Sequence, residues 1–164
     1  MATNQHVIKT SGLTWRLVRD KQISEERAQS AYAEALKASK PFVQYLVEQK
    51  IVESRRIAIA AAEEFGDPLL DLDAMDEVDL AVDLVDAKLV SRHHALPVYR
   101  RGNRLFMAVS DPTNHQGLDE IKFHTGLTTD AVLVEEDKLT AAIERSVGPD
   151  GITRGGAALG REHT

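Results

Sequence analysis

The chain has 164 residues, of which 43% are hydrophobic, 28% charged and 5% aromatic. This apolar fraction is typical of a folded domain with a sizeable core, while the formal charge of −6 argues against general binding to nucleic acid or to an anionic membrane. The absence of cysteine excludes disulfides, thiolate metal sites and thiol nucleophiles. No apolar run approaches the ~20 residues of a membrane span, and the first six residues lack a signal-peptide pattern, so we expect a cytoplasmic protein.

Residues 12–66 are predicted to be helical, because their apolar residues recur every three or four positions. Ser24, followed by two glutamates, is a candidate N-terminal cap. Pro41 is suited to the first position of a helix, where its missing N–H costs nothing. Gly66, with Pro68 after it, is predicted to end the last helix.

This helical segment contains a repeat. An offset of 29 residues superposes Leu17 on Leu46 and Lys21 on Lys50, together with several alanines and glutamates. The offset predicts two copies of one unit, in which a short helix, a tight connection and a longer helix follow each other. Two such hairpins would bury their apolar stripes against each other.

Residues 67–147 change to a mixed pattern, predicted to be a βαββαβα-like layer. The Arg-Gly-Asn turn at 101–103 is typical of a β-hairpin. The expected elements are an extended segment at 69–72, helical spacing over 82–93, strands at 96–100, 104–110 and 130–134, and helices at about 115–125 and 135–147. Helices come first and mixed units follow, which predicts an α+β fold with two subdomains. Residues 148–164 hold five of the ten glycines and are predicted to be a flexible linker or tail.

Catalytic motifs are absent from this chain. Neither Gly-x4-Gly-Lys-Ser/Thr nor Gly-x-Gly-x-x-Gly occurs, so we predict no nucleotide hydrolysis site and no catalytic residue. Ser91 stands close to His93 and His94, but a triad is defined by spatial geometry and not by sequence proximity. We expect these histidines to lie at a surface helix end, where they suit the C-terminal dipole.

A metal site is not expected either. His93, His94, His115 and His124 lack the His-Glu-x-x-His spacing. Ten carboxylates and no cation lie between Arg56 and Lys88, and Asp71, Asp73 and Asp76 in this stretch only partly match a calcium loop. We interpret the stretch as a solvated acidic face, with docking of a basic partner as the alternative.

Two further groups are candidates for binding. Arg100, Arg101 and Arg104 surround the predicted hairpin turn, with Lys122 as a possible neighbour. They either grip a phosphate or an acidic neighbour or form a charged turn that protects a strand edge.

The second group is aromatic. Trp15 and Tyr45 lie one residue apart in the repeat register. Aromatic residues in helical hairpins are usually core residues, but here the neighbouring residues are already apolar. One of the two is therefore a candidate interface anchor that projects outward.

The motifs in the second half resemble the N-terminal domain of the GspE/PilB family, the hexameric ATPases of type II secretion and type IV pilus assembly. The similarity covers about residues 13–147 and is closest to the pilus extension branch. It rests on LLDL at 69–72, on LPVYRRGNRLFMAVSDPT at 96–113 and on LDEIKFHTG at 118–126. The resemblance implies that ATP and Mg²⁺ belong to a hydrolytic core C-terminal to this domain, with the glycine-rich tail as the linker to it. No cofactor is expected on this chain.

In a large part of that family the helical repeats form an MshEN domain that binds cyclic di-GMP. Each copy begins Arg-Leu-Gly, carries another glycine before its second helix and ends at a glutamine. In this chain both arginines, all four glycines and both glutamines of that code are replaced, with Gly12-Leu13-Thr14, Lys21 and Ala35 in the first copy and Pro41-Phe42-Val43, Lys50 and Glu64 in the second. The scaffold is therefore expected to remain without the ligand-binding residues.

The resemblance implies a regulatory module that recruits a PilZ-type adaptor, and through it a cyclic di-GMP receptor. We place the docking face on the first helix of each copy, at Trp15, Arg16, Arg19, Phe42 and Tyr45. The alternatives are direct binding of cyclic di-GMP and structural packing on the inner-membrane pilus platform. A nucleic-acid partner is not expected.

Overall fold

The computed structural model describes residues 12–75 and 81–146. This part of the chain forms an α+β domain in which a helical half precedes a sheet half. The helices are α1 (Gly12–Arg19), α2 (Glu25–Lys37), α3 (Phe42–Glu48), α4 (Ser54–Phe65), α5 (Ala87–His93), α6 (His115–Thr125) and α7 (Glu136–Ser146). The strands are β1 (Leu96–Arg101), β2 (Arg104–Val109) and β3 (Thr128–Leu133), and short 3-10 helices occupy Leu72–Ala74 and Val82–Leu84.

The ends of the first four helices follow from local chemistry. The Ser24 hydroxyl accepts the backbone N–H of Arg27 at 3.0 Å, which confirms the predicted cap of α2. Gly66 ends α4 with a φ of 76°, in the left-handed region that glycine occupies without steric cost. Pro41 is not the first helical residue: its ψ of 145° is extended, so it precedes α3 as the N-cap.

The 29-residue repeat is present in three dimensions. Leu17 and Leu46 are both completely buried. Lys21 and Lys50 follow them with left-handed φ values of 61° and 58°. In both copies the residue after the lysine donates its N–H to the carbonyl of the buried leucine, at 2.9 Å. The connections therefore have the same conformation, one that is typical of glycine although each copy holds a lysine.

Because side chains with a Cβ are strained in the left-handed region, we expect Lys21→Gly and Lys50→Gly each to raise the free energy of unfolding by about 0.5–1 kcal/mol. Urea denaturation measures the effect. The control is Ala33→Gly at an exposed position inside α2, which is expected to lower the free energy of unfolding by about 1 kcal/mol. If either lysine substitution instead lowered the free energy of unfolding, the lysine side chain itself would contribute to stability.

The sheet has the order β1-β2-β3. β1 and β2 are antiparallel across the turn at Gly102, whose φ is 63°, which confirms the predicted hairpin. β3 is parallel to β2, and α6 makes the connection between them. Leu69 adds one parallel bridge to Leu133 at the outer side of β3. The expected βαββαβα order is therefore present, with its first strand reduced to a single bridge.

Some boundaries differ from the sequence expectations. The helical spacing over 82–93 is interrupted, because the carboxylate of Asp86 accepts the N–H of Lys88 at 2.8 Å and caps a new helix, α5. β3 begins two residues earlier than predicted, at Thr128, where its pairing with Arg104 starts.

The two halves share one hydrophobic core. A single cluster of buried side chains extends from Leu13 in α1 to Ile143 in α7. α7 lies at the junction, where it contacts α3 and α4 of the helical half and β1 and β2 of the sheet half. Among the helices of residues 12–75 and 81–146, none is long and apolar enough to cross a membrane.

Candidate functional site

A cavity of about 250 Å³ lies between the start of α3 and the end of α5. Its wall combines Pro41 and Phe42 of the helical half with Arg92, His93 and His94 of the sheet half. Pro41 and Phe42 stand at the start of the second copy of the repeat. The cavity therefore opens at the junction between the two halves.

A buried carboxylate organises one wall of this cavity. Glu136, at the first position of α7, is 2% exposed. It accepts hydrogen bonds from the hydroxyls of Ser110 and Thr140, both at 2.5 Å. The Nε2 atom of His94 lies 2.8 Å from its Oε2 atom. One side chain therefore joins the end of α5, the residue after β2 and the first turns of α7.

His93 belongs to a second group. Its Nε2 atom lies 2.5 Å from Glu120 of α6, and Arg92 donates to the same carboxylate at 3.2 Å. The bond from His93 is the main cause that lowers the pKa of Glu120. Gly117 allows the close approach of α6, since a Cβ there would lie 2.9 Å from the Cβ of His93.

The expectation that these histidines lie at a surface helix end is wrong about the solvent exposure of their side chains. The side chains of His93 and His94 are only 12% and 15% exposed, because packing of α6 and α7 covers the end of α5. Ser91 is exposed, and both histidine rings face glutamates. In the described ranges the two histidines are therefore paired with Glu120 and Glu136.

The acidic stretch between Arg56 and Lys88 is partly neutralised by ion pairs. Lys138 of α7 places its Nζ atom 3.2 Å from a carboxylate oxygen of Asp71 and 3.2 Å from one of Asp73. The hydrogen bond from Lys138 is the main cause that lowers the pKa of Asp71. Asp76 lies outside the described residues. In the described ranges, no three histidine or acidic side chains are grouped so that they could hold a metal ion.

The predicted docking residues on α1 have different environments. Trp15 is 49% exposed, and Arg19 is also exposed. The Arg16 side chain is 14% exposed, because its guanidinium contacts Asp20 at 2.7 Å and Glu63 of α4 at 2.5 Å. Arg16 therefore fixes α1 on α4 and holds its neighbour Trp15 at the surface.

The two predicted docking residues on α3 face α2. The ring of Phe42 meets that of Tyr32 edge-on, with 5.7 Å between the centroids. The hydroxyl of Tyr45 donates to Glu34 at 2.7 Å, which raises the pKa of Tyr45 and lowers that of Glu34. The predicted docking residues on α3 contact α2, whereas Arg16 of α1 contacts α4. These contacts therefore do not join the five predicted docking residues into one cluster.

Sequence reasoning missed two features. Nothing in the run Glu135-Glu136-Asp137 marks the middle carboxylate as buried, since all three suit the first turn of a helix equally well. Phe123 is the most exposed large apolar side chain in the described ranges, at 84%, although its residue type predicts burial. Its neighbours Lys122 and His124 are also exposed, which is the one local signal of an outward position.

The MshEN domain family model matches residues 65–152. The chain therefore belongs to the MshEN domain family. The match covers the sheet half, while the assignment of the helical repeat to this domain stays a prediction.

Curated relatives extend the comparison. The chain is 41% identical over 138 residues to the type IV pilus assembly ATPase PilB of Pseudomonas aeruginosa, which covers 84% of the chain and 24% of the relative. The PilB proteins of Acinetobacter baylyi and Myxococcus xanthus are 35% and 30% identical over 80% and 79% of the chain. The chain spans about a quarter of the length of these relatives.

Solved structures show the same fold. The N-terminal domain of XpsE matches with a TM-score of 0.67 and 21% identity, over 84% of this chain and 94% of that one. The structure of MshE with cdg matches with a TM-score of 0.59 and 20% identity, over 81% and 96%. The α+β fold expected from the sequence is thereby confirmed.

Proposed function

We propose that this chain is the non-catalytic, regulatory N-terminal domain of a type IV pilus assembly ATPase, and that it docks a PilZ-type adaptor protein. Docking would couple cyclic di-GMP signalling to pilus extension. The observation that carries the proposal is the exposed indole of Trp15 on a helix whose Arg16 pairs with Glu63 of α4. An exposed tryptophan is a typical anchor of a protein interface, because it contributes a large apolar area.

The neighbouring charge supports the same surface. Arg19 lies one helical turn after Trp15 and is exposed, so an acidic group of a partner could approach both together. ATP hydrolysis, Mg²⁺ binding and hexamer formation would belong to the rest of the full-length protein, beside the inner-membrane platform.

The docking face is tested by titrating a PilZ-type protein with the chain and its Trp15→Ala and Tyr45→Ala variants. We expect Trp15→Ala to weaken binding at least tenfold, which is about 1.4 kcal/mol. Tyr45→Ala is expected to weaken it less, because Tyr45 is already engaged with Glu34. The matched control is Leu36→Ala, an exposed apolar residue on α2, with unchanged affinity expected.

Each outcome bears on a different part of the proposal. Full affinity in both variants would show that the docking face is wrongly placed, while adaptor docking would remain the proposed function. Failure of the unsubstituted chain to bind any PilZ-type protein would reject adaptor docking itself.

Direct binding of cyclic di-GMP is the second candidate, favoured by the position of the cavity. The cavity borders Pro41 and Phe42 at the second Arg-Leu-Gly position, and Arg92 at its wall could pair with a phosphate. Calorimetry decides this candidate. A Kd below about 10 μM, near 7 kcal/mol, that Arg92→Ala weakens would favour it, and no heat at that concentration would exclude it.

A further inference from the structure

One end of the molecule carries several cations and an exposed aromatic side chain. Arg100, Arg101 and Arg104 surround the hairpin turn, and Lys122 and Phe123 lie in the last turn of α6. We name these five residues the tip surface, and all five are exposed. They share one end because the N–H of residue 128, just after α6, donates to the carbonyl of residue 103 in the turn, at 2.9 Å.

The cations of the tip surface are only partly neutralised within the chain. Arg104 pairs with Asp130 at 2.8 Å. Arg100 donates to the carbonyl of Gly102 at 2.6 Å, and Arg101 lies 6.0 Å from the ring centroid of Tyr99. Neither contact neutralises a positive charge, so the tip surface stays positive on a chain whose formal charge is −6.

A hollow beside Phe123 distinguishes between classes of partner. It has a volume of about 390 Å³ and is lined by Asp119, Lys122, Phe123 and Gly126. The hollow is shallow, but the carboxylate in its lining suits contact with a protein better than contact with an anionic lipid surface.

A surface of opposite character lies on the same chain. Residues 63–73 contain five carboxylates and no cation, and Phe65 and Leu69 among them are 37% and 44% exposed. We name residues 63–73 the acidic surface. Two cations from other elements, Arg16 and Lys138, contact it, which leaves it negative. In the described ranges, no ion pair joins it to a cation of the tip surface.

We propose that the tip surface of one copy docks on the acidic surface of a second copy. Both surfaces combine exposed apolar side chains with charge, and their charges are opposite. Phe123 would then be covered by apolar groups such as Phe65 and Leu69 while cations meet carboxylates. This contact goes beyond the proposed function and does not depend on it.

Sedimentation equilibrium of the complete chain tests the contact. At about 20 mM salt, where charges are weakly screened, the weight-average mass is expected to rise with protein concentration above that of a monomer. At about 0.5 M salt, where the Debye length falls below roughly 5 Å, we expect at least tenfold weaker association. A monomer at all concentrations in low salt would overturn the proposal.

Variants locate the contact. Arg101→Glu with Phe123→Ser alters the tip surface and is expected to abolish association. Lys37→Glu with Leu36→Ser makes the same chemical changes at exposed positions on α2 and is expected to leave association unchanged. Circular dichroism confirms that both variants are folded. Equal loss in both, or no loss in the tip variant, would overturn the assignment.

Mixing supplies the final check. A second variant, Asp73→Lys with Leu69→Ser, alters the acidic surface and is also expected to be monomeric. Because it also removes the ion pair between Asp73 and Lys138, circular dichroism is used to confirm that it is folded. An equimolar mixture with the tip variant restores one intact tip surface and one intact acidic surface. We therefore expect the mixture to associate although neither variant does alone. A monomeric mixture would show that the two surfaces do not bind each other.

Discussion

Replacement of Glu136 by alanine is expected to lower the free energy of unfolding by about 3 kcal/mol. The carboxylate is buried at the start of α7 and is contacted by His94, Ser110 and Thr140. Removing it leaves two hydroxyls and an imidazole without their acceptor at a position where the carboxylate itself is only 2% exposed. The penalty is that of stranded polar groups, which exceeds the net value of the hydrogen bonds themselves.

Urea denaturation followed by circular dichroism measures this effect. The matched control is Glu144→Ala on the same helix, where the side chain is exposed and a change within about 0.5 kcal/mol is expected. Glu136→Gln keeps an amide oxygen that can accept one of the hydrogen bonds. Its loss in the free energy of unfolding should therefore lie between those of Glu144→Ala and Glu136→Ala. A loss below 1 kcal/mol for Glu136→Ala would show that the network contributes little to stability.

The helical half and the hairpin could be predicted because their signals are local. A serine before two glutamates caps α2, a glycine with positive φ ends α4, and Arg-Gly-Asn closes the hairpin. The repeat adds a second signal, because two segments with one pattern are expected to have one conformation. Its connections have that common conformation even though each holds a lysine at a left-handed position.

The candidate site could not be predicted in this way. The network at Glu136 requires the end of α5, the end of β2 and the start of α7 to meet, and their separations along the chain exceed any local pattern. The environments of the docking residues could not be predicted either. The repeat register alone predicts that Trp15 and Tyr45 lie side by side. The contacts of Arg16 with α4 and of Tyr45 with α2 depend instead on how the two hairpins pack.

The junction between the halves determines whether they unfold together. Leu139 of α7 is completely buried, and α7 contacts helices of one half and strands of the other. Leu139→Ala is expected to lower the free energy of unfolding by about 3 kcal/mol, through lost apolar burial and the cavity that remains. Because the core is continuous, the substitution should destabilise both halves by the same amount.

The single tryptophan allows this to be measured. Trp15 fluorescence follows the helical half, which lies in another part of the chain from Leu139, while circular dichroism follows all elements. Coincident transitions with an equal shift in both signals would indicate one cooperative unit. If the fluorescence transition stayed in place while the circular dichroism transition moved, the helical half would be an independent domain. In that case a partner bound at Trp15 could not influence the sheet half through folding cooperativity.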